Sequence, residues 1–418
     1  MKKSFLFVAL LCVTAFVSAQ TMKVQSAYSD MKNGRLLNAK QNIDDACKDE
    51  KTSREAKTWN YAGLIYTQIV QAIDDEKTDK KTKKELSKIK EPVLELCNIG
   101  TESFRKCLAI EKENNSTEFV KNTVDAMKVL CGYKFKYIGE MYNNGEYEKS
   151  APLFHQLVED ANAVTFKSLA LDAMFFEADC YRMMQNKDKQ MELYRELAKQ
   201  NTDKAEVYLA IYQENKAKND TTKAINALKK GVRMTAQETN TNILMKSSLA
   251  QAYVWAGKTD EANKIVEDML KGGEGDTLTL VSVADICVNT GNTEKASELY
   301  KKAISLNPNY KKAYSGMGIL YFNMAADENA AADKLPPDPE FDAEYNAHKK
   351  ASFEAFENSI PYFTKVLEMD KNNFEALKAL KTVYSQLASR SDSPQETKNA
   401  YKEKYQDVSQ RLNALIQK

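Results

Sequence analysis

One spacing constrains this chain more than any other: residues of matching size recur every 34 positions. Gly257 and Gly291 are 34 apart, as are Ala262 and Ala296, and the segments around them, AYVWAGKTDEANKIV and ICVNTGNTEKASELY, align. The phase continues through Tyr300, Ala303, Pro308, Gly318 and Tyr321. A period of this length means one supersecondary unit built many times, each covering its apolar face only against its neighbours. With just 14 Gly and 8 Pro in 418 residues, the unit is made of helices rather than strands and turns.

The segment Trp59–Tyr66, WNYAGLIY, sets Trp59, Ala62, Gly63 and Tyr66 at the spacing W-x₂-L-G-x₂-Y, with Ala in place of Leu. With Ala296, Tyr300, Ala303 and Pro308 on a following helix, this resembles the tetratricopeptide repeat. The resemblance implies an all-α solenoid, a right-handed superhelix of helix-turn-helix pairs. Gly63 and Gly318 would let a second helix approach closely. Tyr66, Tyr181, Tyr253, Tyr321 and Tyr384 would fill the wedge between pairs, with Trp59 buried. Gly145, Gly257 and Gly291 fall where a left-handed residue ends a helix. Uninterrupted units read 131–164, 171–204, 205–238, 243–276 and 277–310, with another at 20–53. Units beginning at Ala56 and Lys311 are split by insertions, and a last pair runs from Phe374 to the end.

This register divides the chain into a leader at 1–19, N-terminal units at 20–130, a regular array at 131–310 and C-terminal units with a terminal helix at 311–418. Lys2 and Lys3 precede an apolar run from Phe5 to Val17, followed by Ser18 and Ala19, which reads as a signal peptide cut before Gln20. Cys12 follows a bulky Leu11, so a lipid anchor there is not expected. An exported, periplasmic protein of the bacterial envelope follows from this reading, with no membrane span; peripheral or outer-membrane association is compatible with it. Without Lys2 and Lys3 the chain carries 58 basic against 59 acidic side chains, so it has no field to draw nucleic acid. The first insertion, about 75–99, holds seven lysines between Lys77 and Lys90, among acids that offset them as on a solvated helix-turn-helix. The second, about 325–345, groups Pro336, Pro337 and Pro339 and reads as an exposed loop before a helix near Glu340.

Catalysis has little to stand on. His155 and His348 are the only histidines, no CxxC or HExxH occurs, and no phosphate loop or nucleophile elbow appears. We therefore expect a non-enzyme without metal or cofactor. Cys47, Cys97, Cys107, Cys131, Cys180 and Cys287 remain after the leader, and Cys107 and Cys287 take packing positions of the repeat, so free buried thiols are expected.

In the resembled family, first-helix positions line a concave groove. Carried onto this chain they are Phe135, Tyr142, Phe175, Arg182, Met183, Gln251, Val254, Trp255, Val281, Val288, Ile319 and Phe322. That lining is apolar and aromatic, which suits a protein partner's segment, or else cover by the chain's own terminal helices. The family's clamp for peptide carboxylates is missing: Leu209, Ser247 and Val281 stand where its cation belongs. The expected function is a noncatalytic scaffold or adaptor of the envelope. The alternative is an outer-membrane ligand- or nutrient-capture component with a similar helical core.

Overall fold

The computed structural model describes residues 21–273, 276–391 and 393–416. The expected leader and Cys12 lie outside them. No described residue is in a strand. The chain packs as two compact units that divide after Thr202.

In the first unit the helices are α1 (residues 21–32), α2 (Leu36–Lys48), α3 (Ala56–Asp74), α4 (Lys80–Leu86), α5 (Val93–Glu113), α6 (Val120–Asn143), α7 (Tyr147–Ala163), α8 (Lys167–Met183) and α9 (Lys187–Lys199). The second unit holds α10 (Ala205–Ala217), α11 (Thr221–Met234), α12 (Thr239–Trp255), α13 (Thr259–Gly273) and α14 (Thr277–Asn289). It continues with α15 (Thr293–Leu306), α16 (Lys311–Ala332), α17 (Asp342–Met369), α18 (Phe374–Ala388) and α19 (Gln395–Ile416). Within each unit a helix packs mainly on those next to it in sequence, the nearest-neighbour packing of a repeat array.

The turn inside a pair recurs. After α6, α12 and α14 come Gly145, Gly257 and Gly291, at φ of 82°, 70° and 78°. After α8 and α10 the same place is taken by Gln185 and Asn219, at φ of 58° and 55°. In every case the next N–H donates five residues back, as Asn186 does to the Tyr181 carbonyl and Asn292 to that of Cys287. Free carbonyls at the helix end are thereby satisfied. Asn186, Asp220 and Asn292 then cap the next helix by accepting from Lys189, Lys223 and Lys295 N–H groups.

Close approach inside pairs falls where the motif puts it. A Cβ on Gly63 would sit 2.3 Å from the fully buried ring of Phe104 on α5, and one on Gly318 would sit 2.8 Å from Phe363 on α17. Ala46, Ala262, Ala296 and Ala303 are completely buried. Between α6 and α7 lies a polar anchor: the Lys134 ammonium, fully buried, donates to Asp160, which also receives Arg105 from α5 at 2.7 Å. A charge this deep is tolerable only because it is paired, and the pairing fixes α6 against α7.

Several boundaries shift from the sequence reading. The 130/131 division falls inside α6, because one helix runs unbroken from Val120. The array units expected at 131, 171 and 243 open earlier, with α6, α8 and α12. The first insertion ends at Pro92, and residues 93–99 belong to α5. Asp79 starts α4 by accepting from Lys81 and Thr82 N–H. The second insertion is mostly helix: α16 continues to Ala332 and α17 starts at Asp342, leaving a short Pro-rich link closed by one 3₁₀ turn at Pro339–Phe341. Trp59 is only half-buried, because its indole N–H reaches out to the Ser53 carbonyl at 2.7 Å and the Lys106 ammonium lies over its ring.

The six cysteines Cys47 to Cys287 are free thiols, and all but Cys47 are buried. Burial pushes the thiols of Cys47, Cys97, Cys131 and Cys180 up to about 12, leaving almost no thiolate to oxidise near neutral pH.

Candidate aromatic recess on the first unit

α6, α7 and α8 turn four aromatic rings toward a cavity of about 340 Å³. Phe135 and Tyr142 come from α6, Phe154 from α7 and Phe176 from α8. Phe176 lies at the centre. It stacks on Phe154 at 5.6 Å and meets Phe135 and Tyr142 edge-on at 5.5 and 5.4 Å. Such offset and T-shaped contacts hold each ring through its quadrupole as well as its area. Phe154 is fully buried and forms the floor, whereas the other three are part-exposed. Gly139 lies in the α6 wall, and a Cβ built there would meet nothing within 4 Å. The opening exists partly because this position has no side chain.

Charge fixes the mouth. Tyr142 donates its hydroxyl to Asp179, and Arg182 grips the same carboxylate through two nitrogens, one at 3.1 Å. Burial opposes ionisation of Asp179, but the hydrogen bonds from Arg182 and Tyr142 outweigh it and hold the carboxyl below its usual range. Burial first, then Asp179, pushes the Tyr142 phenol up to about 12, so it stays a donor at any physiological pH. Lys136 and Glu140 stand on the rim, and Lys136 is paired with Asp74 of α3. The volume admits one or two side chains, not a helix.

Of the first-unit residues expected in a groove, Phe135 and Tyr142 line this recess and Arg182 joins through Asp179. Phe175 turns away from it and stacks on Tyr194 of α9 at 6.2 Å. Met183 is exposed at the end of α8. Phe154 and Phe176 escaped the sequence reading because they occupy ordinary packing positions. The adjacent pair Phe175-Phe176 was the available signal, since two neighbouring aromatics on a helix cannot both face the same core.

The second unit does not gather its expected residues. Gln251 and Ile319 are exposed, and Val254 and Val288 are part-buried. Trp255, 36% exposed, has the Lys216 ammonium of α10 over its ring at 5.5 Å. Two assignments are corrected. Val281 is buried at 3%, because α14 is apolar around most of its circumference and is packed by α12, α13, α15 and α16. Phe322 is part-buried and packs against both apolar clusters of α16–α19, with its ring edge-on to Phe356 at 5.5 Å, so it is committed to packing.

A larger cleft of about 870 Å³ between α17, α18 and α19 has an apolar floor of Leu367, Leu380, Tyr384 and Val408. The chain's own long side chains cross it: Arg411 donates to the Lys371 carbonyl at 2.9 Å, and Lys404 lies over Tyr384 and Tyr401. Among the described residues no group of three His, Cys, Asp or Glu could hold a metal ion, and no helix is long and apolar enough to cross a membrane.

Residues 284–324, from the middle of α14 through α15 into α16, match the family model described as TPR repeat. That segment carries a TPR repeat. No curated protein matches the chain. Among solved structures it is similar to the C-terminal part of a TPR repeat-containing protein from Cytophaga hutchinsonii, at 15% identity and a TM-score of 0.38, over 67% of this chain and 95% of that one. A tetratricopeptide repeat protein from Parabacteroides merdae matches at 13% identity and a TM-score of 0.38, over 67% and 98%. The human IFIT1 dimer with m7Gppp-AAAA matches at 14% and 0.40, over 85% and 74%. The TPR repeat supports a protein-interaction scaffold.

Proposed function

We propose that this TPR protein is a noncatalytic scaffold or adaptor that seats an aromatic or branched apolar side chain of a partner protein in the α6–α8 recess. The observation that carries the reading is the recess itself: rings of Phe135, Tyr142 and Phe176 left part-exposed around an open volume, with a mouth held rigid by Asp179 and Arg182. Rigid aromatic walls lose little conformational freedom on binding, which is why such residues anchor interfaces. Export to a bacterial envelope, with the periplasm as the working compartment, rests on the sequence from Lys2 to Ala19. Partners would then be other envelope proteins, and nucleic acid has no part in the reading.

Selection of displayed random peptides on the chain from Gln20 to Lys418 tests it. Enriched peptides should share one aromatic or leucine anchor, and Phe176→Ala should weaken them at least ten-fold. Enrichment of peptides without an apolar anchor, or indifference to Phe176→Ala, would refute the recess as the binding site. N-terminal mass analysis of the protein from fractionated cells tests the address, with Gln20 the expected first residue.

A further inference from the structure

The two insertions carry opposite charge, and neither is fully neutralised where it stands. From Asp75 to Lys90 seven lysines face four acids, Asp75, Glu76, Asp79 and Glu85, a local charge of +3. All seven lysines are exposed, and among the described residues none has a carboxylate within ion-pair distance. Of the acids in and beside this run, Asp74 is committed to Lys136 and Tyr137, Glu91 to Lys40 at 2.9 Å, and Asp79 to the first N–H groups of α4, whereas Asp75 and Glu76 stay exposed beside the lysines. The sequence expectation that these acids offset the lysines therefore fails for Asp74 and Asp79.

The tip of the α16–α17 hairpin is the reverse. From Asp327 to Glu344 seven acids stand against Lys334 alone, a local charge of −6. Glu328 and Glu344 are held by His348, and Asp333 by Lys349. Asp327, Asp338, Glu340 and Asp342 are exposed and lack any cationic partner within ion-pair distance among the described residues. Helix on both sides and three prolines in the link keep this tip stiff.

We propose that the lysine-rich hairpin of one chain docks on the acidic hairpin of a second copy. The two charges oppose in sign on a chain whose total is only +1, so they are local features and not samples of a global field. A lipid surface or another polyanion would satisfy the lysines and leave the acidic tip without a use. A second copy accounts for both. The lysine hairpin also offers little apolar surface to insert into a bilayer, because Leu86 is buried and Ile89 is part-buried. The contact is heterologous, so one chain can engage two others.

Sedimentation velocity of the Gln20–Lys418 chain reads this directly. In low salt, at about tens of micromolar, mass should rise with concentration, and about 0.5 M salt should abolish the rise by screening. Joint substitution of Lys80→Glu, Lys81→Glu, Lys83→Glu and Lys84→Glu should weaken association at least ten-fold. Joint substitution of Asp327→Lys, Asp338→Lys, Glu340→Lys and Asp342→Lys should do the same. Because these side chains are exposed, both variants should keep wild-type helix content. Mixing the two variants should restore association, since each supplies the charge the other lacks. A wild-type chain that stays monomeric, or a mixture that fails to associate, would overturn the proposal. So would loss of binding to phosphatidylglycerol vesicles in the lysine variant with no self-association of the wild type; that result would assign the lysines to lipid.

Discussion

α6–α8 in the first unit and α12–α14 in the second hold the same place in the repeat, yet the first trio leaves an aromatic-walled opening whereas the second buries most of α14. In the first, Gly139 vacates the wall of α6, and Phe154 and Phe176 line the space from the neighbouring helices. In the second, α14 is buried from Thr279 through Ala284 without a break, and Trp255 is shielded by Lys216. Register fixes which way a side chain points. What stands opposite decides whether it is exposed, and that is set by the bulk of residues the repeat motif does not specify.

The comparison can be broken in four places. The largest effect should come from the anchor behind the recess: Asp160→Ala strands Lys134 as a buried cation and should cost about 3–5 kcal/mol in urea unfolding. A loss under about 1 kcal/mol would mean that the pair does not hold α6 to α7. Next is a contrast between two glycines of the first unit. Gly63→Ala must displace the Phe104 ring and should cost about 1–3 kcal/mol, whereas Gly139→Ala enters open space and should gain up to about 1 kcal/mol of helix propensity. Equal effects would erase the distinction between packed and open faces. Trp255→Ala should cost about 1 kcal/mol, the worth of a half-exposed ring under one ammonium. A cost of about 3 kcal/mol or more would place Trp255 in the core. The smallest effect concerns the turns: Gln185→Gly should gain about 0.5 kcal/mol by relieving a left-handed residue that the equivalent Gly291 already avoids. A loss there would show that the Gln185 side chain contributes more than its backbone costs.

The pairing of helices was legible because it depends on Gly63, Ala262, Ala296 and Ala303, small residues whose absence of bulk is itself the signal. Gly145, Gly257 and Gly291 marked turns for the same reason, whereas Gln185 and Asn219 hid theirs, since neither residue announces a left-handed backbone. Insertion limits were misread where a helix simply continued, as α16 does to Ala332 through a stretch rich in alanine. In the site, Phe135 and Tyr142 followed from register, but Val281 and Phe322 did not. Their burial depends on what packs across from them. The all-round apolar sequence of α14, TLTLVSVADICVN, did carry a warning that this helix has no free face.

The recess is tested most directly by filling it. Gly139→Leu places a branched side chain at a wall position with nothing opposite, on a helix that leucine favours over glycine. Melting should stay level or rise, while titration calorimetry with a peptide selected on the wild-type chain should show affinity reduced at least ten-fold. Wild-type affinity in a stably folded Gly139→Leu chain would contradict the account, because a partner held elsewhere would not notice the recess being closed.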